Sequence, residues 1–278
     1  MSFLLALLAA LLGLAPPAGE RDGGFTIKLD REARDMPRIL GSRRADRPLV
    51  VLDAGHGGRD PGAVSPIAEQ REKDVTLAVA MAIRDALAAS GRVRVAMTRE
   101  DDRFLELRDR YEIARRLKAD LFISIHADAA PNNDDARGAT IYTLSEVASD
   151  REAALLAARE NRVDRLGDAA LGEDEGVNRI LIDLAQRESM NISADFAALL
   201  KREGSNYFPF RSDYHRFASL IVLKAPDVPS ILFETGYITS PADLAYIRSP
   251  EGQKRIAQGM RSAIEAHFAR RLVQIAMR

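Results

Sequence analysis

Four polar residues of the chain end or closely follow apolar runs that predict buried strands. His56 follows LVVLDAG, Glu72 lies beyond the loop after His56, His126 follows LFISI, and Glu234 ends SILF. In open α/β sheets, binding sites lie beyond the carboxyl ends of the strands. We therefore expect these four side chains to meet at one edge of a sheet, although they are far apart in the sequence.

Two histidines and one carboxylate are a common ligand set for catalytic zinc, which keeps a fourth position for water. His56, Glu72 and His126 supply such a set. A carboxylate that does not bind the metal can take a proton from that water, and Glu234 supplies this general base. The sequence predicts one zinc ion per chain, although the same three ligands would accept other divalent ions.

Each of these residues also has a structural interpretation, since a single histidine near a strand end is commonly a hydrogen-bonded structural residue. Gly55, Gly57 and Gly58 favour a site at His56, because they let the backbone turn sharply and approach a ligand closely. The same loop could hold phosphate, but it lacks the GxGxxG and GxxxxGK[ST] spacings. Glu234 ends an apolar strand, where a carboxylate is costly unless it is paired or functional.

The other two histidines indicate chemistry less clearly. His215 precedes a predicted strand in the sequence Tyr-His-Arg-Phe, where it could line a substrate groove or be structural. His267 lies in the predicted C-terminal helix beside Arg270 and Arg271, so we expect it at the surface.

Composition excludes several classes of protein. Cysteine is absent, which excludes disulfide scaffolds, thiolate zinc sites and cysteine nucleophiles. The 40 Lys and Arg nearly balance the 41 Asp and Glu, so no overall basic field exists to hold nucleic acid or an anionic membrane. A length of 278 residues with 46% apolar residues suits one large globular domain or two small ones.

Residues 1–19 predict a signal-peptide-like segment. The apolar run over 3–15 is too short to span a bilayer, but it matches the apolar region of a signal peptide. A buried helix is the alternative, yet Pro16, Pro17 and a polar, glycine-containing stretch follow at once. We therefore expect export and no stable membrane span. Residues 20–47 predict a linker or a strand remnant, with one strand-like run over 25–29.

From residue 48 onward, strand and helix patterns alternate. This alternation predicts an α/β fold, an open twisted sheet with helices on both faces. The predicted strands cover 49–53, 92–98, 121–125, 138–144, 219–223 and 230–234. The predicted helices cover 73–90, 107–118 and 251–272, with a short helix that begins at Pro241.

One region interrupts the alternation. Residues 149–202 contain two long helical stretches and no predicted strand, and they lie between two strands of the sheet. Insertions of this length in a compact domain commonly have a function, often as a lid. We therefore predict a catalytic domain over 48–278 with a helical insertion at about 149–202.

The sequence blocks around the four polar residues resemble a known family. VVLDAGHGGRDPGA and REKDVTLAVA resemble the first zinc-binding block of the zinc-dependent N-acetylmuramoyl-L-alanine amidases that act in bacterial cell separation. LFISIHADA resembles their second histidine block, and VPSILFETGYITSPAD resembles the block with their catalytic glutamate. The resemblance covers about 48–268. It implies that His56, Glu72 and His126 bind zinc and that Glu234 is catalytic.

The insertion resembles a regulatory element of the Gram-negative members. ASDREAALLAARENRVD is similar to a helix that covers the active site, and LIDLAQRESMNISADFA is similar to the rest of that region. In those relatives a glutamate before an asparagine occupies the open zinc position, and the matching residue is Glu160. The alternative for Glu160 is a solvated helix carboxylate. The activators implied as partners are periplasmic LytM-type proteins.

The resemblance implies a periplasmic peptidoglycan hydrolase. It would cleave the amide bond between N-acetylmuramic acid and L-alanine of the stem peptide, in cell-wall remodelling and daughter-cell separation, with autoinhibition by a helix over the zinc. Two alternatives stay open: a non-catalytic peptidoglycan-binding protein on the same scaffold, and another zinc amide hydrolase such as a deacetylase or a stem-peptide peptidase. The HExxH and HxxEH signatures of common metallopeptidases are absent.

Overall fold

A mixed sheet forms the centre of the computed structural model, which describes residues 36–130, 136–162 and 177–276. Its seven strands follow the order β1-β3-β2-β4-β7-β5-β6. Strands β3, β2, β4 and β7 are parallel, β1 and β5 are antiparallel to their neighbours β3 and β7, and β6 is parallel to β5. The strands are β1 (Leu40–Gly41), β2 (Leu49–Ala54), β3 (Arg94–Met97), β4 (Leu121–Asp128), β5 (Ala139–Leu144), β6 (Phe210–Ala218) and β7 (Ser230–Tyr237).

Six α-helices accompany the sheet within the described residues. They are α1 (Glu72–Ser90), α2 (Leu107–Arg116), α3 (Arg151–Glu160), α4 (Val177–Gly204), α5 (Pro241–Arg248) and α6 (Pro250–Ala276). The predicted start of α5 is confirmed: Pro241 takes the first turn, and the Ser240 side chain accepts a hydrogen bond from the Asp243 N–H. Helix α1 ends where Gly91 adopts a left-handed conformation with φ 64°.

Apolar residues of the strands alternate between two cores, one on each face of the sheet. Leu52 and Ile123 belong to the first core, which α1, α4, α5 and α6 cover. Val51 and Phe122 belong to the second core, which α2, α3 and the segment after β6 cover. The predicted open α/β sheet with helices on both faces is therefore confirmed.

One predicted strand is wrong. The segment 219–223 does not pair; Ile221–Leu223 is a 3-10 helix, and the strand is the preceding β6. Strand β6 is at the edge of the sheet and consists mostly of polar residues, so it lacks the apolar run that predicts a buried strand. The apolar residues Val222 and Leu223 fill the second core instead.

Part of the predicted linker over 20–47 also joins the sheet. Leu40 and Gly41 form β1, which pairs with Val95 and Arg94 of β3. The signal-like segment 1–19 and the strand-like run over 25–29 lie outside the described residues. Among the residues that are described, no helix has both the length and the apolar character needed to cross a bilayer.

Candidate metal centre

The functional candidates gather at the carboxyl end of three adjacent parallel strands. His56 lies two residues after β2, His126 lies within β4, and Glu234 lies within β7. The register of β4 and β7 pairs His126 with Glu234. Glu72 is the first residue of α1, at the end of the loop that leaves β2. All four side chains are buried at this edge of the sheet.

Asp60 orients the His56 ring. The Nδ1 atom of His56 lies 2.7 Å from Asp60 Oδ2, a geometry in which Nδ1–H donates to the carboxylate. This bond assigns the lone pair to Nε2, which is the tautomer of a metal-binding histidine with a carboxylate partner. Nε2 is buried without a hydrogen bond among the described residues, and its neighbour at 3.1 Å is Glu72 Oε1. A lone pair that faces a carboxylate is unfavourable unless a cation lies between them.

Glu72 is held by the core on both of its oxygens. Oε2 accepts a hydrogen bond of 2.8 Å from the Ala63 N–H, and Oε1 accepts one of 3.0 Å from the Ala127 N–H. Oε1 also lies 3.1 Å from His126 Nδ1. Burial raises the pKa of this carboxyl, but His56 and His126 outweigh burial and hold the pKa well below its usual range. Glu72 is therefore ionised and fixed in place.

Glu160, the last residue of α3, completes the cluster from outside the core. Its Oε2 lies 3.5 Å from His56 Nε2 and 3.4 Å from His126 Nδ1, and the side chain is buried. Arg159 donates to the other oxygen at 3.1 Å, and it donates at 2.6 Å to Asp128 of β4. The alternative of a solvated helix carboxylate does not describe this position.

The distances between the carboxylates and the histidines have the length expected between ligands of one metal ion. Bond lengths of about 2.0–2.1 Å to zinc in a regular tetrahedron separate neighbouring ligand atoms by about 3.3–3.4 Å. The contacts from Glu72 and Glu160 to the two histidines span 3.1–3.5 Å. The two imidazole rings meet nearly at right angles, with centroids 4.8 Å apart. The donor atoms of His56, His126 and Glu160 also lie within 4.8 Å of one another, so the residues present fit a metal ion bound by histidine nitrogens and carboxylate oxygens.

Charge at the cluster also favours a cation. Burial lowers the pKa of His56, but the negative charges of Glu72 and Glu160 and the hydrogen bond to Asp60 raise it well above the usual value. The cluster thus attracts positive charge to the histidine nitrogens. A divalent ion at the same position would satisfy that attraction and leave the His56 imidazole neutral.

Glu234 differs from the other carboxylates of the site. It is fully buried, and neither oxygen has a hydrogen-bond partner in the described chain. Burial, together with the charges of Asp128, Glu72 and Glu160, raises its pKa well above the usual range. A buried carboxyl without hydrogen-bond partners, paired with His126 in the sheet, has free oxygens that can accept a proton, as a general base does.

Two buried arginines fix the loop that carries His56. Arg99 donates to the carbonyls of Ala54 and Gly55, each at 2.8 Å, and Arg110 donates to the His56 carbonyl at 2.8 Å. His56 itself has a left-handed φ of 60°, which is strained for a residue with a Cβ atom. The arginines hold that conformation in place.

Glycine is required at two positions of this loop by close approach to the ligands. A Cβ atom on Gly55 would lie 2.5 Å from His126 Nε2. A Cβ atom on Gly62 would lie 2.6 Å from His56 Cδ2 and 2.7 Å from Glu72 Oε2. Either side chain would displace a donor group of the cluster.

The structure does not bring the remaining histidines to this cluster. His215 lies on the edge strand β6, where its Nε2 is 3.0 Å from Thr143 Oγ1, and burial lowers its pKa. Its role in a substrate groove remains a prediction. The expectation that His267 lies at the surface is wrong: its side chain is buried against Phe196.

Sequence reasoning missed the residues that support the cluster. Asp60 and Asp128 stand within the same blocks as the histidines, four residues after His56 and two after His126. A search for a carboxylate near each candidate histidine could have found Asp60, because metal-binding histidines commonly have such a partner. No sequence signal connects Arg159 to Asp128, since that contact depends on how α3 docks.

Comparison with known proteins agrees with this geometry. The sequence profile of the family described as N-acetylmuramoyl-L-alanine amidase matches residues 50–266. Over 238 residues, the chain is 36% identical to N-acetylmuramoyl-L-alanine amidase AmiA of Salmonella typhimurium, which covers 85% of the chain and 80% of that relative. It is 34% identical to AmiC of Escherichia coli over 82% of the chain, but this match spans about half, 55%, of that relative.

A solved structure has the same fold. The N-acetylmuramoyl-L-alanine amidase AmiC2 of Nostoc punctiforme superposes with a TM-score of 0.57 and 26% sequence identity. The superposition covers 80% of this chain and 97% of that protein. The profile match, the identity to AmiA and the shared fold lead to one assignment. The chain belongs to the N-acetylmuramoyl-L-alanine amidase family.

Proposed function

We propose that the chain is a zinc-dependent N-acetylmuramoyl-L-alanine amidase, which hydrolyses the amide bond between N-acetylmuramic acid and L-alanine of the peptidoglycan stem peptide. Family membership supports a peptidoglycan amidase in cell-wall remodelling. The observation that carries the zinc assignment is the meeting of His56, Glu72 and His126 at ligand-to-ligand distances. These three residues would hold one zinc ion per chain.

Zinc, when bound, would lower the pKa of a water molecule and polarise the amide carbonyl. The chain itself supplies the proton transfers. Glu234 accepts a proton from the attacking water and returns it to the departing nitrogen of L-alanine, so that the carboxylate is regenerated after each turnover. Its burial without hydrogen-bond partners supports this role, because no other group of the described chain competes for its oxygens.

Glu160 acts as a removable inhibitor in this proposal. Its contacts with both histidines support a role as fourth ligand, which would exclude water and substrate from the metal. An activator that binds the open state better than the closed state would shift the population towards activity. Resemblance supports a LytM-type protein as that activator, a periplasmic location and a role in daughter-cell separation.

The domain organisation follows from the same proposal. Residues 1–19 direct export, and residues 20–47 link that segment to the catalytic domain over 48–278 and add β1 to its sheet. The insertion at about 149–202 contributes α3 and most of α4, and it is the regulatory element. His215, on the edge strand β6, is proposed to line the substrate groove.

Mass spectrometry of digested peptidoglycan tests the proposed function. The Glu160→Gln variant, loaded with zinc, should release stem peptides that begin with L-alanine, and a chelator should abolish the release. Glu234→Gln in the same background should retain zinc but release about 10²–10⁴-fold less peptide. Release of acetate or of shorter peptides would instead indicate a deacetylase or a peptidase. Binding without any product would indicate a wall-binding protein.

A further inference from the structure

The amino-terminal end of α3 is held by an ion-pair cluster distant from the metal site. Glu152, in the first turn of α3, accepts a hydrogen bond of 2.7 Å from Arg211 Nη1. Its other oxygen lies 3.1 Å from Arg216 Nη1, and the Tyr237 hydroxyl lies 3.3 Å from Oε1. One carboxylate of the helix is therefore surrounded by two guanidinium groups and a phenol.

The groups beneath Glu152 belong to the sheet and are buried. The side chain of Arg216 is 6% exposed and that of Arg211 is 15% exposed, whereas Glu152 is 36% exposed. Tyr237 and Tyr142 beneath them are fully buried. With α3 docked, Arg211 and Arg216 therefore form a largely covered basic surface on the sheet, and the Glu152 carboxylate lies against it.

The positive charge of this basic surface is balanced only while α3 is docked. Within the sheet, Asp213 is the carboxylate that pairs with both arginines. Glu152 and the more distant Asp150, 3.6 Å from Arg216, arrive with the helix. When α3 leaves, the two guanidinium groups keep one of the carboxylates that the structure describes beside them, Asp213. A partly buried cation that loses its partner favours a new anion, and arginine binds carboxylates through paired hydrogen bonds.

The two arginines lie near one end of α3, and the metal site lies at its other end. Asp128, which holds Arg159 at the other end of α3, is paired in register with Tyr237. Glu152 and Glu160 are eight residues apart on one helix, a distance of about 12 Å along its axis. An extended peptide covers about 12 Å with three to four residues. A peptide that starts at the metal site and occupies the place that α3 has left would bring its third or fourth residue to the two arginines.

We propose that Arg211 and Arg216 form a subsite for a carboxylate carried by the stem peptide, about three residues beyond the cleaved bond. In the closed state α3 imitates the substrate at two points. Glu160 takes the position of the reacting group, and Glu152 takes that of the distant peptide carboxylate. This inference rests on the proposed amidase function, and it names the acidic peptide that the site selects.

Two variants that break the same ion pair from opposite sides test this inference. Glu152→Gln and Arg211→Gln are prepared in the Glu160→Gln background, with zinc bound. The substrates are two muramoyl tripeptides that differ only in whether the third residue carries a free or an amidated carboxyl group. The measurement is the ratio of kcat/KM for the acidic substrate to that for the amidated one. The fraction of molecules with α3 displaced cancels in this ratio.

The background variant and Glu152→Gln should prefer the acidic substrate about tenfold or more, as expected for a charge-assisted, two-pronged contact. Arg211→Gln should bring the ratio close to one. Arg211→Lys, which keeps the charge but not the fork, should give an intermediate ratio and serves as a second test if Arg211→Gln folds poorly.

Other results would overturn the inference. A structural clamp without a substrate role predicts the same ratio for Glu152→Gln and Arg211→Gln. A ratio near one in every variant, with both substrates cleaved, would remove the carboxylate subsite and leave the amidase function intact. Absence of cleavage of both substrates by the zinc-loaded background variant would overturn the proposed function, and the inference with it.

Discussion

Two carboxylates face the same two histidines, Glu72 at 3.1 Å and Glu160 at 3.4–3.5 Å, but they are held in place by different kinds of contact. Glu72 comes from α1, and backbone N–H groups of the core hold both of its oxygens. Glu160 comes from α3, and the group that holds it is Arg159 of the same helix. The positions of His56, Glu72 and His126 therefore do not depend on α3, whereas the position of Glu160 depends on the docking of this short helix.

The packing of the two helices also differs, since α1 buries more large apolar side chains than α3 does. Helix α1 buries a full apolar face that includes Val75, Val79, Ile83 and Leu87. Helix α3 buries one large apolar side chain, Leu156, together with two alanines and Glu160. Its remaining anchors are polar contacts at its two ends. Stabilisation by apolar burial is proportional to the buried area. Undocking α3 therefore costs less free energy than undocking α1 would. This difference suits a fixed metal ligand on α1 and a removable inhibitor on α3.

Removal of the fixed ligand should give the largest effect. Glu72→Gln removes the negative charge of a proposed zinc ligand, so zinc affinity should fall by more than about 100-fold, since loss of a supporting partner alone costs 10–100-fold. Peptide release should fall with it. Competition with a chromogenic chelator measures the affinity. Glu69→Gln, an exposed residue of the same loop, is the matched control and should bind zinc normally. Equal affinities of the two variants would contradict the assignment of Glu72.

Loss of Asp60, the hydrogen-bond partner of His56, should give the second largest effect. Asp60→Asn weakens the hydrogen bond to Nδ1 and the control of the tautomer, so zinc affinity should fall by about 10–100-fold. Isothermal titration with zinc measures this change. Asp46→Asn, in an exposed ion pair with Arg44, is the control and should have no effect. An Asp60→Asn variant with unchanged affinity would mean that the ring is oriented by packing alone.

Weakening the contacts that hold α3 on the sheet should raise activity rather than lower it. Arg159→Gln breaks the contacts with Asp128 and Glu160, so α3 should open more often and basal peptide release should rise up to about tenfold, the equivalent of 1.4 kcal/mol. Arg92→Gln, which removes the exposed pair with Glu265 far from α3, is the control. If both variants retained the same low activity, the Arg159 contacts would not hold the helix closed.

Titration of His267, which lies outside the metal cluster and outside α3, should have the smallest effect on the site. Burial, followed by the charges of Arg271 and Arg270, lowers the pKa of His267 to about 4. Its folded pKa is below the unfolded value, so stability is complete above about pH 6.5 and declines as the pH falls towards 4, by up to about 3 kcal/mol. The neighbouring acidic group, Asp195, opposes this shift.

Urea unfolding at pH 7 and pH 4.5 measures this decline, with His267→Leu as the comparison. The substitution should reduce the loss of stability on acidification and leave zinc affinity at pH 7 unchanged. A decline of the same size in both proteins would assign the acid sensitivity to other groups.

The elements that predict well from sequence are those with strong patterns. Strands β2 and β4 are apolar runs buried on both faces, and α1 repeats apolar residues at helical spacing, so their types are evident. The four polar residues at strand ends were identifiable because parallel strands bring their carboxyl ends together. His267 could also have been recognised as buried, because it follows Met260 by seven residues and Ile264 by three, on the same face of α6.

Contacts that arise from docking could not be predicted in this way. Strand β6 lacks an apolar run because it lies at an edge of the sheet. The pairing of Arg159 with Asp128, and of Arg211 and Arg216 with Glu152, joins segments that are separated by at least 31 residues. Charged residues on a helix usually face solvent, and only the placement of α3 on the sheet turns these into specific contacts.

The rate of peptide release by Glu160→Gln relative to the unaltered chain tests the central claim most directly. Both proteins are loaded with zinc, and the same purified peptidoglycan is digested without an activator. If Glu160 is the removable fourth ligand, the variant should bind zinc through His56, Glu72 and His126 and release stem peptides at least about tenfold faster. A variant that binds zinc equally well but is no faster, or slower, than the unaltered chain would contradict the proposal that α3 blocks the site.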